Sequence, residues 1–299
     1  MSPAPESQDP SLRPRRSVLY MPGANERALE KAKGLAADAL ILDLEDAVAP
    51  NAKEEARERV CAAAASGEYG TREIAIRANG LGTQWHDADV AAIAKAGPDA
   101  IVVPKINSVD DVRAIESALE KGGAPDGTKI WAMVETPVAM LHAEEIAGCS
   151  DRLAVLVMGT NDLAKELRAE HVPGRQPLLT GLGLCLLAAR ATGKVILDGV
   201  YNDIKDADGF LAECRQGKEM GFDGKTLIHP SQLEPCNEVF APSSEQVEAA
   251  REIIAAFEEA EHEGRGVVTV NDRMIENLHV EEARRTLAQA RAIADVAGT

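Results

Sequence analysis

Residues 17–43, SVLYMPGANERALEKAKGLAADALILD, contain the unit that decides the fold. An aliphatic run at 17–21 is followed by a polar turn, an Ala-rich amphipathic stretch at 26–36 and a second aliphatic run at 39–43. Buried strands that alternate with helices of 3.6-residue periodicity predict a parallel sheet covered by helices.

The same unit repeats along the chain. Predicted strands lie at 17–21, 39–43, 72–77, 100–104, 129–135, 153–158, 194–198 and 224–229, and predicted helices include 26–36, 87–96, 109–121 and 209–221. The strands are apolar almost throughout, which is typical of burial on both faces. Eight units predict an α/β fold, a (β/α)8 or TIM barrel. An open doubly wound sheet is the alternative, but it usually carries GxGxxG after its first strand, where this chain has MPGANE.

The two ends of the chain differ from the repeating part. Residues 1–14 are polar and Pro-rich and are predicted to be a disordered tail. The barrel is predicted over 15–235. Residues 236–299 form a C-terminal extension, with helices at 244–263 and 280–296 and a hairpin around 271–272. We expect this extension to pack on its own barrel or on a neighbouring subunit.

Composition excludes several classes of protein. A net charge of -17 argues against nucleic acid as a partner. The five cysteines are scattered without CxxC spacing, which argues against disulfides and a thiolate zinc site and favours the reducing cytoplasm. The N-terminus lacks the apolar core of a signal peptide. No apolar run reaches the roughly 18 residues of a membrane span.

Charged side chains follow the predicted strands at their carboxyl ends, where the active sites of such barrels lie. They are Asp43, Glu45, Asp46, Arg77, Lys105, Glu135, Asp162, Asp198 and His229. Hard oxygen ligands that converge on one mouth favour Mg²⁺, or Mn²⁺, over zinc. Glu135 and Asp162 are the predicted metal-binding pair.

Each of these residues also has a structural interpretation. Asp43 and Asp198 suit helix capping or pairing with a nearby cation. Arg77 suits a buried ion pair in the barrel, and His229, before Pro230, suits a turn. Only the convergence of the whole set favours a functional site.

Five segments carry a family resemblance. RRSVLYMPGANERALEKA (15–32), LDLEDAV (42–48), MVETP (133–137), MGTNDLAKEL (158–167) and GFDGKTLIHPSQ (221–232) resemble the citrate lyase β-subunit-like family. That family includes malyl-CoA and citramalyl-CoA lyases and belongs to the wider HpcH/HpaI aldolase group. The resemblance covers about residues 15–296. It implies a barrel assembled as a homotrimer or hexamer that acts on a small acyl-CoA thioester.

The resemblance also implies roles for particular residues. It makes Glu135 and Asp162 the metal ligands, Arg77 a catalytic contact of the substrate carbonyl, and Glu45 and Asp46 an acidic pair beside the metal. The residues implied to contact CoA or substrate are Arg16, Met21, Pro22, Gly23, Arg77 and Lys105.

One position departs from the family pattern. In relatives the C-terminal segment carries an Asp that enters the neighbouring subunit's site, within a motif like MIDxPH, whereas this chain has MIENLH with Glu276 there. The segments 159–167, 181–191, 198–203 and 276–279 together resemble the malyl-CoA thioesterase branch.

Three functions therefore stay open. The first is a magnesium-dependent carbon-carbon lyase acting on (3S)-malyl-CoA or citramalyl-CoA, with Glu276 handling the carbon proton. The second is a (3S)-malyl-CoA thioesterase that releases malate and CoA. The third, of another class, is a non-catalytic subunit of a citrate-lyase-like complex or an aldolase for free oxo acids.

Overall fold

The computed structural model describes residues 12–262, 268–270 and 273–297. Eight strands form a closed parallel barrel in chain order, and the first pairs with the eighth. They are β1 (Ser17–Pro22), β2 (Ala39–Asp43), β3 (Glu73–Arg77), β4 (Ala100–Val103), β5 (Lys129–Val134), β6 (Leu153–Met158), β7 (Val195–Asp198) and β8 (Gly224–Leu227). The predicted (β/α)8 barrel is confirmed.

Helices connect the strands and cover the barrel. They are α1 (Glu26–Ala32), α2 (Lys53–Ala65), α3 (His86–Ala96), α4 (Val109–Lys121), α5 (Pro137–Leu141), α6 (Ala143–Gly148), α7 (Thr160–Leu167), α8 (Leu179–Thr192), α9 (Ala207–Met220) and α10 (Leu233–Phe240). Capping side chains mark where several of these helices begin. Asn25 caps α1 by accepting the Ala28 N–H, and Ser108 with Asp111 forms a capping box at α4.

The apolar strands bury both faces. In β2, Ala39 and Ile41 belong to the core inside the barrel, whereas Leu40 and Leu42 belong to the core beneath the helices. This alternation follows from the two-residue period of a strand. It explains why these strands carry apolar residues at nearly every position.

A buried ion pair lies at the amino end of the barrel. Arg15 donates to both carboxylate oxygens of Glu73, at 2.6 and 2.8 Å. The same guanidinium lies 5.8 Å from the ring centre of the fully buried Trp131. This end is therefore filled by side chains and leaves the opposite end for a site.

Strand ends differ slightly from the prediction. The eighth strand was expected to reach 229, but β8 ends at Leu227. The backbone N–H groups of Ile228 and His229 instead donate to the Gln232 side chain, so the chain turns there. The fifth strand was expected to include Glu135, but β5 ends one residue earlier.

The chain divides into two compact units, of which Arg15–Phe240 contains the barrel and α10. The other contains α11 (Ser244–His262), β9 (Val268–Val270), β10 (Arg273–Ile275) and α12 (Asn277–Ala297). Helix α11 packs on α12, and β9 pairs antiparallel with β10, as the hairpin prediction expected. Residues 1–11 of the predicted tail lie outside the described residues. No helix of the described part combines the length and apolar character that crossing a membrane requires.

Candidate active site

A cavity of about 460 Å³ opens at the carboxyl end of the barrel. Six of the residues predicted from the sequence line it, namely Pro22, Asp43, Asp46, Arg77, Glu135 and Asp162. They lie at or just after the ends of several different strands. They meet at one side of the barrel because all eight strands point the same way. The structure therefore brings the predicted metal pair and the predicted arginine into one cavity.

Glu135 is the buried member of the carboxylate pair. It follows β5 directly and is 2% exposed. Its Oε1 accepts the backbone N–H of Lys105 at 2.8 Å. Burial, first of all, and the neighbouring charges of Asp162 and Glu45 raise the pKa of Glu135 to about 8, although the Lys105 hydrogen bond and Arg77 oppose the rise.

Asp162 lies in the first turn of α7, which follows β6. Its Oδ1 is 3.4 Å from the Lys105 ammonium. Gly159, just before this helix, leaves room for Glu135, because a Cβ there would overlap the Glu135 side chain. The glycine in the GTND segment is therefore required by packing against the carboxylate.

Lys105 connects the two carboxylates. Its backbone has φ of 54°, in the left-handed region that few non-glycine residues occupy. The backbone N–H contacts Glu135 and the half-exposed side chain contacts Asp162. The resemblance implies that Lys105 contacts CoA or substrate, and the structure brings it to Glu135 and Asp162, the predicted metal pair.

Arg77 is held by acids on two sides. Its Nε and Nη2 donate to Asp43 at 2.6 Å each, and Nη1 is 2.8 Å from Glu45 Oε2. Asp43 is held in turn by the backbone N–H groups of Glu45 and Ala47. Arg77 thus makes the buried ion pair that its structural interpretation expects, and it also lines the cavity.

Hydrogen bonds and ion pairs together hold the Arg77 guanidinium. A guanidinium has five N–H donors; those of Nε and Nη2 bond Asp43, while Nη1 makes ion pairs with Glu45 at 2.8 Å and with Asp46 at 3.8 Å. The Tyr20 ring lies 4.8 Å beneath the guanidinium carbon.

Glu45 and Asp46 differ in environment. Burial raises the pKa of Glu45 to about 7, Asp46 and Asp43 add to the rise, and Arg77 opposes it. Asp46 is 77% exposed and lies 3.8 Å from Arg77. Glu45 therefore changes its protonation state near neutral pH, which suits an acid-base group.

The structure does not bring Arg16 to the cavity, which corrects its predicted contact with CoA. Arg16 precedes β1 at the amino end of the barrel, and its guanidinium donates to both oxygens of Asp38 at 2.7 and 2.8 Å. Met21 and Gly23 are also packed closely against neighbouring parts of the barrel. Met21 is 5% exposed, and a Cβ on Gly23 would lie 2.5 Å from the Asp43 carbonyl oxygen.

The other predicted residues lie elsewhere. Asp198 is fully buried between Arg175 and Lys225, at 2.6 and 3.1 Å, which is a structural ion pair. His229 is exposed, and its Nδ1 accepts the Ser231 N–H. Glu276 is exposed in the C-terminal unit, where its backbone N–H donates to His279. Its action in another subunit stays a prediction.

Sequence reasoning missed an amide pair beside the metal pair. Asn161 and Asn202 donate to each other's side-chain oxygens at 3.1 and 2.7 Å, and both line the cavity. The recurrence of an Asn-Asp pair in GTND and DGVYND could have indicated these two asparagines. A second cavity of about 490 Å³ shares Thr160, Val200 and Asn202 with the first.

No group of three or more His, Cys, Asp or Glu side chains that could hold a metal occurs within the described ranges. A site at Glu135 and Asp162 thus offers two protein carboxylates. Mg²⁺ is commonly held by one or two carboxylates, with water and substrate completing its coordination.

Fold and site together define a barrel with a carboxylate pair and an acid-held arginine at its catalytic end. Comparison with known families then gives a specific relationship. The chain matches the HpcH/HpaI aldolase/citrate lyase family over residues 16–230, and a family described as carbon-carbon bond lyase of the TIM-barrel fold over 182–294. The chain belongs to the HpcH/HpaI aldolase/citrate lyase family.

Individual relatives cover nearly the whole chain. A (3S)-malyl-CoA thioesterase of Cereibacter sphaeroides is 56% identical over 94% of this chain and 96% of its own. The citrate lyase β subunit of Escherichia coli is 37% identical over 95% of each. A crystal structure of protein CitE from Mycobacterium tuberculosis with magnesium, acetoacetate and coenzyme A has a TM-score of 0.75 and 29% identity, and it covers 92% of this chain and 97% of that one.

Proposed function

We propose that the protein is a magnesium-dependent thioesterase that hydrolyses (3S)-malyl-CoA to malate and CoA. The observation that carries the proposal is the presence of Glu135, Asp162 and Arg77 in one cavity. Relatives named for this activity, 54–56% identical over 94% of the chain, support it. Glu276, at the position where the family's lyases carry Asp, also favours hydrolysis over the lyase that the sequence placed first.

The carboxylates fit a divalent cation. Glu135 is buried, and its burial, together with the nearby charge of Asp162, raises its pKa. Oxygen ligands of this kind suit Mg²⁺, with Mn²⁺ as the alternative. When bound, the cation would polarise carbonyl and hydroxyl oxygens of the substrate as a Lewis acid. A solved relative bound to magnesium and coenzyme A supports this choice.

Arg77 would stabilise charge on the substrate. Asp43, through two hydrogen bonds, and Glu45, through an ion pair, hold its guanidinium in one orientation at the cavity wall. Donors fixed in advance stabilise a developing oxyanion without a cost of reorganisation during the reaction. Arg77 would therefore bind the thioester carbonyl oxygen as it becomes negative.

Glu45 would act as the base. In its ionised form it takes a proton from water as the water oxygen bonds to the thioester carbon. The carbon-sulfur bond then breaks, and the proton returns from Glu45 to the CoA thiolate. A pKa of about 7 places this exchange at neutral pH.

A lyase is the second candidate, and the family match and the citrate lyase relatives favour it. The same groups would hold malyl-CoA while its carbon-carbon bond breaks to glyoxylate and the acetyl-CoA enolate. Glu276 of a neighbouring subunit in a homotrimer or hexamer would then protonate the enolate carbon. Glu276 would thus serve the lyase and not the thioesterase.

Product analysis separates the two reactions. Purified protein with Mg²⁺ and (3S)-malyl-CoA should release malate and free CoA, whereas the lyase would release glyoxylate and acetyl-CoA. Glu135→Gln and Asp162→Asn should abolish turnover, and Asp126→Asn, an exposed acid in the loop before β5, should not. If neither product forms from malyl-CoA or citramalyl-CoA, both functions are wrong.

A further inference from the structure

Lys53, the first residue of α2, has an unusual environment for a lysine. It is 5% exposed. Its ammonium donates to the backbone oxygens of Leu44 and Glu45 at 2.7 and 2.8 Å, and to Asn79 Oδ1 at 2.7 Å. An ammonium has three donors, so all three are used. It also lies 5.1 Å from the Trp85 ring centre.

This ammonium makes no ion pair with a carboxylate of the described residues. Removing a charge from water is costly unless other groups replace the lost hydration. Here two backbone carbonyls and one amide oxygen replace it. The arrangement therefore ties Lys53 to the backbone of one particular segment, the turn that follows β2.

That turn carries Glu45, which contacts Arg77. The Glu45 backbone oxygen bonds Lys53 on one side, and its carboxylate bonds Arg77 Nη1 at 2.8 Å on the other. Lys53 does not line the cavity. Any effect of Lys53 on a reaction there would therefore pass through the turns that it bonds, one of which carries Glu45.

The third bond of Lys53 reaches the turn after β3. Asn79 lies two residues beyond Arg77 and donates to Asp89 from its backbone and side chain, at 3.0 and 2.6 Å. Arg57 donates to the other oxygen of Asp89 at 2.6 Å. Lys53 thus joins the turn that carries Glu45 to the turn that follows Arg77, the last residue of β3.

We propose that Lys53 is a positioning residue that holds the Glu45 carboxylate on Arg77 by tying the turn after β2 to the turn after β3. For catalysis this rests on the proposed function, but the structural role can be measured without activity. An ångström of misplacement costs about 100-fold in a positioned step. Lys53→Met should therefore lower kcat by about 10- to 100-fold with KM little changed.

A double-mutant cycle tests whether the effect passes through Glu45. If Lys53 acts only through that side chain, Lys53→Met combined with Glu45→Gln should be no slower than Glu45→Gln alone. Lys194→Met is the matched control, because Lys194 bonds the Ser150 carbonyl oxygen at 3.0 Å at the amino end of the barrel. It should keep wild-type kcat. Multiplied losses in the Lys53–Glu45 double variant would overturn the proposal.

Hydrogen exchange gives a measurement independent of turnover. The backbone N–H groups of Glu45, Ala47 and Val48 are bonded within the turn, at 2.8, 3.1 and 3.0 Å. Lys53→Met should speed their exchange at least tenfold, and Lys194→Met should not. Unchanged exchange in Lys53→Met would overturn the inference even in an active enzyme. A wild-type protein inactive on hydroxyacyl-CoA would defeat only the proposed function.

A second variant covers the case in which Lys53→Met does not fold. Lys53→Arg keeps the charge, but its planar guanidinium differs in shape from the ammonium that fits three acceptors. We expect a smaller loss of kcat, again without additivity with Glu45→Gln. Wild-type kcat and exchange in Lys53→Arg, or a loss of kcat that adds in full to that of Glu45→Gln, would contradict the inference.

Discussion

Gly159→Ala should inactivate the enzyme by moving one carboxylate. An ideal Cβ at Gly159 would overlap both Oε2 and Cβ of Glu135. It would lie far closer to them than 3.0 Å, the shortest distance at which a real Cβ approaches another heavy atom. Glu135 cannot retreat easily, because it is 2% exposed and its Oε1 is bonded to the Lys105 backbone. We expect the carboxylate to shift by about 1 Å, and a shift of that size costs about 100-fold in a positioned step.

The assay is turnover of (3S)-malyl-CoA at saturating Mg²⁺, followed by a magnesium titration. Gly159→Ala should lower kcat about 100-fold and weaken activation by the metal, because Glu135 is a proposed ligand. Gly183→Ala is the matched control, since a Cβ there meets nothing within 4 Å. A Gly159→Ala protein within threefold of wild type would refute the assignment of Glu135.

Three further predictions follow from other parts of the structure. The hydrolysis rate should rise with pH through about 7, because burial raises the pKa of Glu45 to about 7 and the base must be ionised; Glu45→Gln should remove this limb of the pH profile, and a persistent limb would assign it to another group. If Glu276 acts in a neighbouring subunit, mixing the inactive Glu276→Gln and Glu135→Gln proteins should restore lyase activity through hybrid sites, and no recovery after verified subunit exchange would place Glu276 outside the partner's site. Lys225→Met should lower the free energy of unfolding in urea by about 3–5 kcal/mol, since it leaves a buried charge without one of its partners. Burial would raise the pKa of Asp198, but Lys225 and Arg175 hold it below its ordinary value, so its contribution to stability is complete above about pH 4 and is lost as pH falls through the lowered pKa; a Lys225→Met protein with wild-type stability at pH 7 would contradict this account.

The order of strands and helices could be predicted because it depends on local periodicity. The runs at 39–43 and 153–158 have the predicted bounds. Glu135, Asp162 and Arg77 could be assigned to one mouth because parallel strands in a barrel end at the same side. The contact of Arg16 with CoA was implied by the resemblance and not by this rule. A residue before a strand lies at the other end of the barrel, where Arg16 bonds Asp38, 22 positions away in the chain.

The sequence by itself determined the barrel and the convergence of acids and arginine, because both follow from the two-residue period of strands and their common direction. Only the tertiary structure decided how each charge is paired. It put Lys105 on Asp162 through a left-handed backbone, raised the pKa of Glu45 by burial, and turned Lys53 inward onto carbonyl oxygens. The physical reason is that hydrogen bonds and desolvation depend on distances between segments remote in the chain, which periodicity does not encode.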